Sequence, residues 1–286
     1  MAFTTIINTN DLAAHTADPG WAIVDCRFQL ADVAWGEREY AVAHIPGAAY
    51  AHLDRDLSGA KTGTNGRHPL PDPAVLADTL GRFGIANETQ VVAYDQDSGM
   101  FASRLWWLLR WMGHDAVAVL DGGFAKWTAE GRPTVTADAD YNVRRRTRFT
   151  GSPRSEMSVD VSDVESRAGR RDSLLVDARA PERYRGEVEP LDRVAGHIPG
   201  ALNSFFQRNL DDRGLFRSPD ELRDQWSALL GDVPADRVVC YCGSGVQACH
   251  NLLALERAGM KGAALYAGSW SEWSSDSARP VEVGPK

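Results

Sequence analysis

The apolar residues of this chain follow two alternating patterns along its length. Short apolar runs that end on a polar residue, as a buried strand entering a loop does, occupy residues 22–27, 91–95, 174–179 and 238–242. Between these runs, apolar residues recur at helical spacing in segments 74–83, 102–112, 219–230 and 247–258. Alternation of this kind predicts an α/β fold in which a mostly parallel sheet is flanked by helices.

The same motifs occur twice, in the same order. The paired motifs are AIVDCR (22–27) with LLVDAR (174–179), HIPGA (44–48) with HIPGA (197–201), VVAYD (91–95) with VVCYC (238–242), and VLDGGFAKW (119–127) with LYAGSWSEW (265–273). Asp95 therefore occupies in the first copy the place that Cys242 holds in the second. The repeat predicts two homologous domains, and the polar stretch 133–159 places their boundary so that they span residues 1–151 and 152–286.

Composition narrows the class of protein. With 43% hydrophobic residues and nine Trp in 286 residues, each half can bury its own core. The formal net charge of −8 argues against nucleic acid as a partner. No stretch approaches the roughly 18 apolar residues that span a bilayer. Residues 1–11 lack the features of a signal peptide. We therefore expect a cytoplasmic protein with no membrane partner.

Cys242 is the strongest candidate for chemistry. It follows a predicted strand, and Gly243, Ser244, Gly245, Val246 and Gln247 lead directly into a helix. Glycines and a helix start can turn several backbone N–H groups toward one atom, which would favour a thiolate or a persulfide anion. The alternative is an inert buried thiol. The spacing of Cys240, Cys242 and Cys249 does not fit zinc, so no metal is expected.

The paired VDxR and HIPGA motifs, with a cysteine loop in the second copy only, resemble the tandem-domain rhodanese superfamily. The resemblance implies two rhodanese-like domains, of which the first is inactive, and no cofactor. The loop CGSGVQ (242–247) matches at its first five positions the CGSGVT that is typical of the 3-mercaptopyruvate branch, whereas thiosulfate-using members carry basic residues after the cysteine. Gln247 replaces the usual Thr and leaves the donor preference open.

The resemblance also implies partners for the nucleophile. Arginines before the second HIPGA hold the donor's carboxylate: Arg183 matches one, and Arg193 is the nearest stand-in for another. The alternative for both is a surface arginine paired with a nearby acid. Ser244 is expected to act with a histidine and an aspartate of the first domain. His44 matches that histidine and Asp32 is the nearest acidic candidate, but the recurrence of HIPGA at His197 also fits a structural imidazole.

We therefore expect a sulfurtransferase in which Cys242 takes sulfur from 3-mercaptopyruvate and passes it, as a persulfide, to cyanide or to a thiol acceptor such as a small thiol or a thioredoxin-like protein. Thiosulfate as the donor is one alternative, and a non-enzymatic rhodanese-like binding module is another. A cysteine phosphatase is disfavoured, because Ala248 stands where that chemistry needs an arginine.

Overall fold

The structure is a computed structural model that describes residues 2–139, 145–170 and 172–285. Contacts divide the chain into two compact units. The first unit comprises Met1–Ser58, Pro71–Arg154 and Asp212–Phe216, and the second comprises Gly59–Leu70, Ser155–Asp211 and Arg217–Lys286. The contacts thus divide the chain at several points, and the single boundary predicted between residues 151 and 152 stays a prediction.

The first unit is built on a parallel five-stranded sheet in the order β1-β5-β4-β2-β3. Its strands are β1 (Ile6–Ile7), β2 (Trp21–Asp25), β3 (Ala48–Tyr50), β4 (Gln90–Tyr94) and β5 (Val117–Leu120). Its helices are α1 (Thr9–Ala13), α2 (Trp35–Val42), α3 (Pro73–Arg82), α4 (Ala102–Trp111) and α5 (Gly123–Ala129). The central strand β4 is buried along its whole length, which explains its nearly continuous apolar sequence.

The second unit repeats this topology, with a parallel sheet in the order β6-β10-β9-β7-β8. Its strands are β6 (Ser158–Val159), β7 (Leu174–Asp177), β8 (Leu202–Asn203), β9 (Val238–Tyr241) and β10 (Ala264–Tyr266). Its helices are α6 (Val161–Arg167), α7 (Pro181–Tyr184), α8 (Pro219–Leu230), α9 (Gln247–Arg257) and α10 (Ser269–Trp273). The predicted α/β class and the internal repeat are confirmed.

The recurrent VDxR motif forms a buried ion pair at the end of a strand in each unit. In the second unit, Arg179 donates from Nε and Nη2 to both carboxylate oxygens of Asp177, at 2.6 to 3.1 Å, and Nη2 also donates to the carbonyl of Gly196 at 2.6 Å. Asp25 and Arg27 pair in the same way in the first unit. The pair ties the strand end to the segment before HIPGA, and removing one partner of such a pair typically costs about 3–5 kcal/mol.

Within residues 2–139, 145–170 and 172–285, no helix is both long enough and apolar enough to cross a membrane.

Candidate active site

Cys242 lies in a tight loop between β9 and α9. Its side chain is 1% exposed, and the N–H of Gly245 donates to its sulfur at 3.2 Å. Gly245 has φ +77°, and a Cβ at this position would lie 2.6 Å from the carbonyl oxygen of Ala267. Both the positive φ and the close contact require glycine here. Helix α9 begins with no side-chain cap, which leaves its first N–H groups available to the loop. The loop therefore places a sulfur atom among backbone donors.

The first residues of α10 fix the backbone of this loop. The N–H of Cys242 donates to Ser269 Oγ at 3.1 Å, and the N–H of Trp270 donates to the carbonyl of Cys242 at 2.9 Å. Ser269 has φ +56° and is the one non-glycine residue with positive φ in the part of the chain that the structure describes. Gly123 takes its place in the first unit, with φ +57°. A serine accepts this unfavourable backbone here, and its hydroxyl satisfies a buried N–H.

The equivalent loop of the first unit already holds an anion. The carboxylate of Asp95 accepts hydrogen bonds from the N–H groups of Asp97 (3.2 Å), Gly99 (2.9 Å), Phe101 (2.7 Å) and Ala102 (3.2 Å). Burial raises the pKa of Asp95 to about 6, and the backbone hydrogen bonds oppose that rise. This turn between strand and helix is therefore able to surround a negatively charged group with amide donors.

Ser244 forms a buried pair with His68. Its Oγ lies 2.7 Å from His68 Nδ1, and the two side chains are 6% and 3% exposed. His68 belongs to the segment Gly59–Leu70, which packs within the second unit although it is 176 residues from Ser244 in sequence. An imidazole in contact with a hydroxyl two residues from the thiol can hold or relay a proton at that oxygen.

The histidine in contact with Ser244 is thus His68, whereas the role predicted for His44 stays a prediction. The ring of His44 stacks on Tyr40, with centroids 4.0 Å apart, and its Nδ1 lies 2.8 Å from the carbonyl oxygen of Tyr40. His197 makes the same two contacts with Tyr184. The imidazole of each HIPGA motif is therefore a packed structural group, which is the alternative that the repeat had suggested.

Asp32 lies at the surface of the first unit. Its carboxylate pairs with Arg38, its carbonyl accepts the N–H of Trp35 at the start of α2, and both charged side chains of the pair are largely exposed. The ion pair lowers the pKa of Asp32. These are the contacts of a surface carboxylate, and the catalytic role predicted for Asp32 stays a prediction.

Two guanidinium groups lie against the loop after the cysteine. A Cβ added to Gly243 would be 2.7 Å from Arg67 Nη2 and 3.5 Å from Arg183 Nη1. Arg183, predicted from the sequence, is 15% exposed, and its Nε is buried without a hydrogen-bond partner among the described residues. Arg67 was not recognised in the sequence. Arg193, the other predicted arginine, is exposed.

Carboxylates balance these cations. Arg183 donates to Glu189 at 2.6 Å, and Asp192 contacts both Arg183, at 3.4 Å, and Arg67. Burial raises the pKa of Asp192, and the neighbouring arginines only partly offset it. Burial would also raise the pKa of Glu189, but hydrogen bonds from Arg183 and from backbone amides outweigh this effect and lower the pKa. The result is a buried ionic network beside the loop.

In chemical terms the site combines a thiol among amide donors, a hydroxyl–imidazole pair and two arginines. A thiol in such surroundings can act as a nucleophile and carry a negatively charged sulfur. In the part of the chain that the structure describes, no cluster of three or more His, Cys, Asp or Glu side chains has the arrangement of a metal site.

Comparison with known proteins agrees with the fold. The family model "Rhodanese-like domain" matches residues 8–130 and again residues 160–276. A Pseudomonas aeruginosa protein named "Probable 3-mercaptopyruvate sulfurtransferase" is 47% identical over 286 residues, covering 99% of this chain and 100% of that protein. The thiosulfate sulfurtransferase of Bos taurus is 34% identical over 280 residues, covering 95% of this chain and 92% of that one.

The fold is also similar to that of the 3-mercaptopyruvate sulfurtransferase from Leishmania major, with a TM-score of 0.85 and 31% identity, over 97% of this chain and 76% of that chain. Two matches to one family model, in the two copies of the repeat, account for most of the sequence. The chain therefore belongs to the rhodanese family and contains two rhodanese-like domains.

Proposed function

We propose that this protein is a 3-mercaptopyruvate sulfurtransferase that works through a persulfide on Cys242. The observation that carries the proposal is the position of the Cys242 sulfur, which accepts the N–H of Gly245 in a loop that also presents the Ser244–His68 pair. Relatives named for this activity match nearly the whole chain and support the same donor.

In the first half-reaction the Cys242 thiolate attacks the sulfur of 3-mercaptopyruvate. An S–S bond forms, the C–S bond breaks, and its electron pair passes into the enolate of pyruvate. Ser244 donates a hydrogen bond to the carbonyl oxygen, where the negative charge develops, while His68 Nδ1–H donates to Ser244 Oγ and so keeps the serine proton directed at the substrate. The terminal sulfur's proton then moves to the enolate carbon, so that pyruvate leaves and Cys242 retains a persulfide anion among the loop amides.

In the second half-reaction an acceptor takes the outer sulfur. A thiolate, from a small thiol or a thioredoxin-like protein, attacks that sulfur, and the S–S bond to Cys242 breaks to regenerate the thiolate. Cyanide would accept the same atom and leave as thiocyanate. Because donor and acceptor use the same sulfur in turn, the reaction is ping-pong.

Arg183 binds the donor's carboxylate. Its Nε is buried and unpaired among the described residues, and its guanidinium lies beside Gly243, within one residue of the nucleophile. Arg67 provides a second cation at the same place. Arg193 remains the stand-in for the second arginine that the family resemblance implies. Kinetics of Arg183→Gln, Arg67→Gln and Arg193→Gln separate them: removal of a carboxylate contact raises KM for 3-mercaptopyruvate and leaves KM for cyanide unchanged.

Thiosulfate is the second candidate donor. The loop sequence contains no cation after Cys242, which favoured the mercaptopyruvate branch, but the fold brings Arg67 and Arg183 to Gly243 from other segments. A doubly charged donor therefore meets positive groups here as well. Initial rates with the two donors at equal concentration decide between them.

Intact-protein mass spectrometry tests the proposal directly. After brief exposure to 3-mercaptopyruvate we expect a gain of one sulfur atom that a reductant removes. Cys242→Ser should abolish this gain, and Cys26→Ala, which removes a buried thiol of the first unit, should retain it. Uptake from thiosulfate in preference would move the assignment to the second donor. No uptake from either would refute the enzymatic function and leave a rhodanese-like binding module.

A further inference from the structure

Asp192 places a carboxylate where the proposed donor would place its own. Its side chain is 5% exposed, one oxygen contacts Arg67 Nη1, and the other lies 3.4 Å from Arg183 Nη2. These are the same two guanidiniums that flank Gly243 next to the nucleophile. An anionic donor that reaches the Cys242 sulfur therefore meets cations that already have a partner.

The network around them is electrically balanced. Carboxylates and guanidiniums alternate along one chain of contacts, three of each sign: Asp177, Arg179, Glu189, Arg183, Asp192 and Arg67. A donor that adds a negative charge to this closed set is poorly compensated unless one internal pair opens. Arg67 ends the network and is 27% exposed, the most exposed of the three arginines, so the Arg67–Asp192 pair is the one that opens most easily.

We propose that Asp192 is a specificity-determining residue, an internal carboxylate that competes with the anionic sulfur donor for Arg67 and thereby weakens donor binding. The inference rests on the proposed function, because it concerns the donor of that reaction. Arg67 cannot pair with Asp192 and bind the donor at the same time. The apparent affinity for the donor is therefore proportional to the fraction of molecules in which Arg67 is not paired with Asp192. The same carboxylate repels a dianion more strongly than a monoanion, so it also disfavours thiosulfate relative to 3-mercaptopyruvate.

Asp192→Asn tests this inference in the full chain. The substitution keeps the size of the side chain and removes its charge, which frees Arg67 for the donor. We expect KM for 3-mercaptopyruvate to fall about tenfold, as gaining one charge-assisted contact would give, and KM for thiosulfate to fall further. Since this contact stabilises ground state and transition state alike, kcat should change less than twofold.

Two further variants separate competition from a general effect. Glu187→Gln removes an exposed carboxylate of the same segment, one that pairs with Arg185 outside the network, and should leave both KM values unchanged. In an Arg67→Gln background, Asp192→Asn should lower KM by a clearly smaller factor, because Arg67 is absent and the substitution then frees Arg183 alone. The Kd of pyruvate, measured calorimetrically with Cys242→Ser and with the same protein carrying Asp192→Asn, gives an independent readout that needs no turnover.

The outcomes distinguish the inference from the function on which it rests. An unchanged or raised KM in Asp192→Asn, with wild-type turnover intact, would overturn the inference alone, as would an equal fall in the Arg67→Gln background. If wild type takes no sulfur from either donor, the function fails, while a tighter pyruvate Kd in Asp192→Asn would still support competition for the arginines. An unchanged pyruvate Kd would overturn it.

Discussion

The carboxylate of Asp95 offers a quantitative test of how these loops treat a buried anion. Burial raises its pKa from 3.8 to about 6 in the folded protein. Between these two values the folded state keeps a proton that the unfolded chain has released. The contribution to stability is therefore full below about pH 4 and is lost as the pH rises through 6. A shift of about 2 units corresponds to about 3 kcal/mol in the free energy of unfolding.

Asp95→Asn removes this titration. The difference in unfolding free energy between wild type and Asp95→Asn should therefore change by about 3 kcal/mol between pH 4 and pH 7, with the wild type losing stability relative to the variant as the pH rises. The altered hydrogen bonding of the new amide adds an offset that does not depend on pH. The test is therefore the change with pH of the difference in unfolding free energy, and not its absolute value. Urea unfolding at closely spaced pH values measures it.

Carboxyl-carbon NMR gives the pKa itself. Asp95 should titrate near 6, and Asp97→Asn should lower that value, because the charge of Asp97 contributes to the rise. Asp97 is exposed, so this second variant leaves the packing of the loop intact. Titration of Asp95 near 3.8, or a stability difference that stays flat with pH, would refute the view that burial outweighs the four amide donors.

Substitutions at three positions probe the loop of the second unit and its contacts. Gly245→Ala should destabilise the protein by more than 1 kcal/mol in urea unfolding, because its Cβ would lie 2.6 Å from a carbonyl oxygen at φ +77°, and it should also lower the rate of sulfur uptake. Ser269→Ala leaves the buried N–H of Cys242 unpaired and should lower the free energy of unfolding by about 1–3 kcal/mol. Ser269→Gly loses the same hydrogen bond but relieves the strain of the positive φ. It should therefore be the more stable of the two variants in thermal unfolding. His68→Phe should lower kcat for 3-mercaptopyruvate at least tenfold while KM for cyanide stays constant; equal activity would show that the imidazole takes no part.

The elements of this fold could be read from the sequence because their signals are local. Helix α8 begins and ends where the pattern predicted, since Ser218 and Glu221 form a capping box and Pro219 occupies the first turn. The repeated motifs predicted that the two copies share one fold, and the alternation of apolar runs with helical segments predicted a mostly parallel sheet in each copy. The position of Cys242 in a loop between strand and helix followed from the same reasoning.

The partners of the cysteine could not be read in the same way. Arg67 and His68 lie in a segment without regular secondary structure between β3 and α3, and neither belongs to a motif that the second copy repeats. One signal was available: a long irregular segment within a compact fold is often functional. His44 was chosen because it matches the histidine that the family resemblance implies. Its recurrence as His197 pointed instead to a structural imidazole, and the stacking of its ring on Tyr40 favours that alternative.

The same turn between strand and helix holds a different residue in each copy of the repeat. In the first unit the residue after the strand is an aspartate, and its two oxygens take up the N–H groups of four residues, so the donors are saturated from within. In the second unit the same place holds a thiol, whose single sulfur accepts the N–H of Gly245. The ionised carboxylate of Asp95 occupies these four donors, whereas the single sulfur of Cys242 leaves room for a second, negatively charged sulfur atom. The inactivity expected of the first copy therefore needs no change of fold. The Asp95 side chain itself supplies the anion that the backbone amides of this turn bind.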